Sequence, residues 1–136
     1  MKVAFLSLAL VALAGQASAE SAKKYSVELG GTTSELKAGA SGTLGVQLKP
    51  REGYKISAEA PLKIKLSSPG LALDKTQLGR GDAKDKGSIS PAFAVKFGAK
   101  SAGTQNIDVD ATFFVCDEKI CERQQEKLSV PISVQP

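Results

Sequence analysis

The chain has 136 residues, 18 of them Lys or Arg and 14 Asp or Glu, and it contains no His. That absence excludes Ser-His-Asp and Cys-His catalysis and any His-ligated metal site. Two Cys alone make a poor zinc site, no carboxylate spacing picks out an acid–base pair, and no cofactor motif is present. The formal charge of +4 is interspersed, and only two Tyr and five Phe occur, so the basic stripe with stacking aromatics that a nucleic-acid platform needs is missing.

In chain order, the first element is a targeting segment. Lys2 precedes an apolar run from Val3 to Ala14, and Gly15-Gln16-Ala17-Ser18-Ala19 supplies a small-x-small site. These are the three parts of a cleavable secretory signal over residues 1–19. The apolar run is too short for a membrane anchor, which needs about 20 residues. Gln16 rather than Cys near the cleavage site leaves nothing to acylate. No second apolar run follows, so stable membrane insertion is not expected. The remainder, 20–136, has the size of a single domain able to bury its own core.

After the signal no helical period stands out. Tyr25, Val27 and Leu29 alternate up to Gly30-Gly31, and Leu44, Val46 and Leu48 up to Pro50. Leu62, Ile64 and Leu66 follow Pro61 and end at Pro69-Gly70. Phe93, Val95 and Phe97 follow Pro91 and end at Gly98. Ile107, Val109, Ala111, Phe113 and Val115 form the longest alternation, and Leu128, Val130, Ile132 and Val134 close the chain. Period-two runs bounded by Gly and Pro are strands. At least six are expected, with shorter ones near Leu36 and from Leu71 to Leu73. Short strands separated by turn signals imply an all-β sandwich. The low-apolar stretch from Gly79 to Ser88 is expected to be an exposed, mobile loop. It holds Arg80-Gly81-Asp82, the tripeptide integrins read, although three residues match by chance often.

Thiol chemistry is the one reactive option left. Cys116 and Cys121 frame Asp117-Glu118-Lys119-Ile120 between the last two strands. A hairpin with this connection sets the two Cys directly opposite, with Cα atoms about 4.5–5.5 Å apart, within the range of about 4.4–6.8 Å that a disulfide accepts. Export puts the pair in an oxidising compartment. The core faces of the two strands are the odd positions from Ile107 to Val115 and the even positions from Leu128 to Val134. Cys116 and Cys121 are both off-phase, so both sulfurs are expected outside the core, near the surface at one end of the sandwich. The ring they close spans six residues, worth about 2 kcal/mol by chain entropy. Lys119 and Arg123 favour thiolate, whereas Asp117, Glu118 and Glu122 oppose it. On the residues alone the pair is either a structural staple or a redox pair.

The tail Phe113-Phe114-Val115-Cys116-Asp117-Glu118-Lys119-Ile120-Cys121 with its closing strand resembles the N-terminal domain of the DsbD family of thiol:disulfide interchange proteins. Gly53-Tyr54-Lys55-Ile56 followed by Pro61, and Phe93-Ala94-Val95-Lys96-Phe97 with Gly103, resemble the same domains. The resemblance covers roughly residues 50–134. It implies an immunoglobulin-like antiparallel sandwich whose paired Cys116 and Cys121 exchange electrons between a membrane donor and periplasmic thioredoxin-like proteins. It further implies that Tyr54 shields the disulfide. The chain departs from the family in its Cys-x4-Cys spacing, one residue shorter, and in having no membrane or thioredoxin domain within its 136 residues. The expectation is therefore a periplasmic or secreted thiol–disulfide exchange domain. The alternative is a non-catalytic exported β-sandwich module, binding or structural, with a stapling disulfide.

Overall fold

The computed structural model describes residues 23–136, so the signal segment 1–19 lies outside the described residues. Ten strands follow in chain order: β1 (Tyr25–Glu28), β2 (Glu35–Lys37), β3 (Ser41–Pro50), β4 (Lys55–Ile56), β5 (Lys63–Ser67), β6 (Leu71–Leu73), β7 (Gln77–Gly79), β8 (Ala92–Ala99), β9 (Gly103–Cys116) and β10 (Cys121–Gln135). One turn of 3-10 helix, Arg80–Asp82, follows β7. Every alternating run of the sequence lies in or at the margin of a strand, and the short elements near Leu36 and Leu71 are present as β2 and β6. The two-residue β4 and three-residue β7 are too short to show a period and were not expected.

The strands form two sheets, β1-β3-β8-β6 and β2-β10-β9-β5-β7, with β4 added to β9. All pairings are antiparallel except β2 with β10. This is the immunoglobulin-like antiparallel sandwich. Its core is the inner rows of both sheets: Leu44, Val46 and Leu48 on β3, Phe93, Val95 and Phe97 on β8, Ile107 to Val115 at odd positions on β9, and Val130, Ile132 and Val134 on β10. Burial of such rows drives the two sheets together.

Two glycines on β3 serve close approaches. Gly42 pairs with Phe97, and a Cβ at 42 would lie 2.7 Å from the Phe97 ring. At Gly45 a Cβ would lie 2.2 Å from the carbonyl oxygen of Gly30. There the chain crosses from one sheet to the other, and Thr32 Oγ1 accepts from Gly45 N at 3.0 Å. The crossing is what lets β1 join the first sheet and β2 the second.

The lower half of β10 points polar rather than apolar side chains inward. Glu122, Gln124 and Glu126 are half-buried on its even face. Tyr25 of β1 packs edge-on against Phe113, with centroids 4.9 Å apart, and its hydroxyl donates to Glu126 Oε2 at 2.5 Å. Lys23 pairs with Glu126 at 3.1 Å and Lys24 with Glu122 at 2.8 Å. The open side of the sandwich is thus closed by polar contacts. Burial, and then the bond to Glu126, push the Tyr25 hydroxyl well above its ordinary pKa. Burial pushes Glu126 up, but the bonds from Tyr25 and Lys23 outweigh it and hold the carboxyl below its ordinary 4.5.

Two expectations follow from this packing. Gly45→Val should lower stability by about 1–3 kcal/mol through overpacking, read as a lower urea midpoint with unchanged slope. For Glu126, folding favours the ionised form. Its contribution is therefore present above pH 4.5 and lost as pH falls through the lower folded value. Glu126→Gln should flatten the acid limb of the stability–pH curve, and an unchanged limb would show that the seam contributes nothing.

Candidate functional site

The β9–β10 hairpin sets the site. Its register runs unbroken from Cys116 opposite Cys121 to Gly103 opposite Val134. At the tip Asp117 N donates to Ile120 O at 3.0 Å, which closes the turn. Asp117 Oδ1 accepts from Lys119 N and Ile120 N, both at 2.7 Å, the side-chain turn that Asp readily forms. These bonds, Ile120 first, hold the Asp117 carboxyl below the usual carboxylate range. The next pair inward is Cys116–Cys121. It is not hydrogen-bonded across the strands, and such pairs bring side chains closest. The two Cα atoms are 4.0 Å apart and the sulfurs are bonded. A bonded pair of this kind belongs to an oxidising, extracytoplasmic compartment.

The phase of the two cysteines is as expected, but their shared exposure is not. Cys121 is exposed, whereas Cys116 retains only 2% of its surface. Cys116 stands outside the core cluster and is nevertheless covered. Lys55 of β4 pairs directly with it, and Tyr54 and Lys55 wall a hollow of about 190 Å³ beside it, with Gly53, Asp117 and Glu118. At two residues β4 is too short to show a period in the sequence. The resemblance had pointed to Tyr54, and the structure places it in this hollow. Tyr54 is half-buried against the core, with the Lys24 ammonium 5.5 Å from its ring centre. The side chain of Ile120 at the tip is 56% exposed.

The stretch from Gly79 to Ser88 is not the uniformly exposed loop expected. Lys84 to Gly87 are exposed, but the Arg80 guanidinium donates to Ser57 O and to Ser88 O. Asp82 accepts from Gly79 N at 2.8 Å and Lys75 Nζ at 2.6 Å, and Ala83 is buried. Arg80 and Asp82 are both engaged within the domain.

A second feature went unread in the sequence. The outer face of β5, β9 and β10 forms a groove of about 720 Å³. Lys65, Asp110 and Lys127 form a cross-strand row in it, and Gln125 Nε2 donates to Asp110 Oδ1 at 3.1 Å. A smaller hollow of about 350 Å³ continues the face past Lys63 and Arg123. Among the described residues no group of three or more His, Cys, Asp or Glu could hold a metal ion, and no helix is long and apolar enough to cross a membrane.

No known family model and no curated protein matches the chain. Solved structures similar to it include domains 4 and 5 of the S-layer protein SbsC, at 14% identity and TM-score 0.47, covering 82% of this chain and 51% of that one. The chain thus spans about half the length of that structure. A conjugative transposon lipoprotein from Bacteroides eggerthii is similar at 12% identity and TM-score 0.47, covering 80% and 96%. The major subunit of aggregative adherence fimbriae type I from Escherichia coli is similar at 10% identity and TM-score 0.40, covering 82% and 94%. Likenesses at this level carry no argument about function.

The unequal cover of the two sulfurs has a measurable consequence. In a Cys116→Ser variant the lone Cys121 should react with a small aromatic disulfide reagent roughly tenfold faster than the lone Cys116 of a Cys121→Ser variant, because rate follows access and thiolate fraction. Equal rates would show that the cover over Cys116 opens freely in solution.

Proposed function

We propose that the chain is a non-catalytic exported module, periplasmic or secreted, in which the Cys116–Cys121 disulfide is a staple at the end of the β9–β10 hairpin. The observation that carries this reading is the company of the buried sulfur. The hollow beside Cys116 holds two carboxylates, Asp117 and Glu118, against one ammonium, Lys55. Lys24, whose ammonium lies 5.5 Å from the Tyr54 ring centre, is taken up by Glu122 at 2.8 Å. An exchange cysteine needs a thiolate, and thiolates are favoured by net positive surroundings. Asp117, held ionised by its two backbone donors, works against one. The staple itself adds about 2 kcal/mol by chain entropy to a hairpin that its turn bonds and inner face already specify. On this reading the domain works by binding, through a surface, rather than by chemistry.

A second reading, thiol–disulfide exchange, is favoured by one observation, the exposure of Cys121, together with the resemblance to the DsbD N-terminal domain. Its step would be attack of a partner's thiolate on Cys121 Sγ. The Cys121–partner disulfide forms, the intramolecular bond breaks, and Cys116 leaves as the thiolate. The partner's second thiolate would then attack the partner sulfur of the mixed disulfide; the partner's own disulfide forms, the Cys121–partner bond breaks, and Cys121 leaves as the thiolate, so the domain is reduced and the partner oxidised. The partners would be periplasmic thioredoxin-like proteins and a membrane electron donor, with Tyr54 shielding the pair.

One measurement separates the two. Equilibrating the domain in thiol buffers of known potential and counting free thiols should give a potential below about −300 mV, the range of structural disulfides. The Cys116→Ser/Cys121→Ser double variant should remain folded. A value between roughly −120 and −270 mV is the working range of exchange proteins and would overturn the module reading in favour of exchange.

A further inference from the structure

The longest strand of the domain leaves one side open. Asp117 N bonds Ile120 O at the turn, and the unbroken register then alternates. Even residues of β10 direct N–H and C=O toward β9, and odd residues direct theirs the other way. The contacts on the far side agree with this phase, since Ser133 N donates to Ser34 O at 2.8 Å and Gln135 O accepts from Ala38 N at 2.7 Å. Pro131, which has no N–H, also falls on an odd position, where no bond to β9 is lost. Among the described residues β2 covers only Ser133–Gln135 of this edge. The backbone groups of Arg123, Gln125, Lys127 and Ser129 therefore face outward as a row of donors and acceptors about 20 Å long at about 3.4 Å per residue.

We propose that this edge is a strand-addition site for an extended segment of a partner protein that carries acidic side chains at alternate positions. The occupant's chemistry follows from the two faces of the edge. On the outer face a strand added here would lie beside Arg123, Gln125 and Lys127, with Lys63 and Lys65 further across the same face. Of the carboxylates on that face, Asp110 is engaged by Gln125 at 3.1 Å, and Asp108 stands opposite Ser129, at the far end of the row from Arg123. On the inner face Glu122 and Glu126 are already paired with Lys24 and Lys23. Acidic residues on the outer face of the incoming strand complement what is left. Main-chain bonds supply affinity in such additions, and alternate side chains supply selectivity.

Charge disfavours a second copy of this chain at the registers centred on residues 123 to 127. Antiparallel pairing of β10 with itself sets Arg123 opposite Arg123 when centred on residue 123, and Glu122 opposite Glu126 when centred on 124. Centring on 125 opposes Arg123 and Lys127, on 126 Glu126 and Glu126, and on 127 Lys127 and Lys127. Directly opposed like charges destabilise a strand pair. Inward-pointing charges are a known guard for open edges, and here they guard against self-association while leaving the backbone row available.

This proposal rests on the module reading and names its partner class. Its readout does not involve the cysteines, so the potential measurement and this test fail separately. The probe is a synthetic seven-residue peptide alternating Glu with Val, and a Lys-for-Glu version is the control. With the acidic peptide, hydrogen exchange of the Arg123, Gln125, Lys127 and Ser129 amides in the isotopically labelled domain should slow by at least about tenfold. The effect should weaken with salt, and the Lys peptide should have none. Gln125→Pro removes an outward N–H that β9 does not use, and it should abolish the protection. The Arg123→Glu/Lys127→Glu variant, which leaves every backbone group in place, should lose the acidic peptide and take up the Lys peptide. Absence of protection at millimolar acidic peptide, equal protection by both peptides, or protection without peptide in a species of dimer mass would each overturn the proposal.

Discussion

The register of β9 with β10 is the constraint on which the rest of this domain depends. One unbroken antiparallel ladder, from the disulfide at the tip to Gly103 opposite Val134, assigns every side chain of the second sheet to a face. It turns Ile107, Val109, Ala111, Phe113 and Val115 inward, where they meet Phe93, Val95 and Phe97 of the opposing sheet. It turns Lys127 and Asp110 outward into the groove and Arg123 into the smaller hollow beside it. It places the two cysteines in the kind of pair that needs least reach to bond. A slip of one residue would reverse all of these together, because the side-chain period is two.

The ladder also explains why the sandwich is asymmetric. Beyond the Ser133–Gln135 stretch that β2 covers, the inner row of β10 changes from buried Ile132 and Val130 to half-buried Leu128, Glu126, Gln124 and Glu122. The apolar core ends there, and the first residues of the described chain cover the gap. Tyr25 supplies the transition with one side chain: its ring packs on Phe113 and its hydroxyl meets Glu126. A tyrosine suits that boundary because one end is apolar and the other makes hydrogen bonds. The charged inner row and the open backbone edge are therefore two sides of the same segment, one specifying against self-pairing and the other presenting unpaired groups.

At the cysteine pair, geometry and electrostatics pull in different directions. The bond lies on the outer side of the hairpin with one residue exposed, which gives a reagent a place to attack. Its surroundings are a capped turn and a hollow lined by half-buried Tyr54, Lys55, Asp117 and Glu118, and the carboxylates there work against a departing thiolate. A six-residue ring next to a turn already closed by three hydrogen bonds contributes modestly to stability, about 2 kcal/mol by chain entropy.

The longer strands and the pairing of the cysteines were legible in the sequence because both are local. Alternation with period two marks a half-buried strand over five or more residues, as from Ile107 to Val115, and a four-residue gap between two such strands makes a hairpin whose flanking cysteines must face each other. Cover over those residues was not legible, because it is supplied from a distance. Lys55, about sixty residues earlier, pairs with Cys116 through a two-residue strand too short to carry a period, and Tyr54 lines the hollow beside it. The order around Arg80 comes likewise from the carbonyl of Ser57, and the polar seam from Tyr25 meeting Glu126. Sequence alone determined which face each residue of a strand would take. Only the tertiary structure decided what would lie against that face, because packing partners are chosen by the crossing of sheets and not by neighbours along the chain.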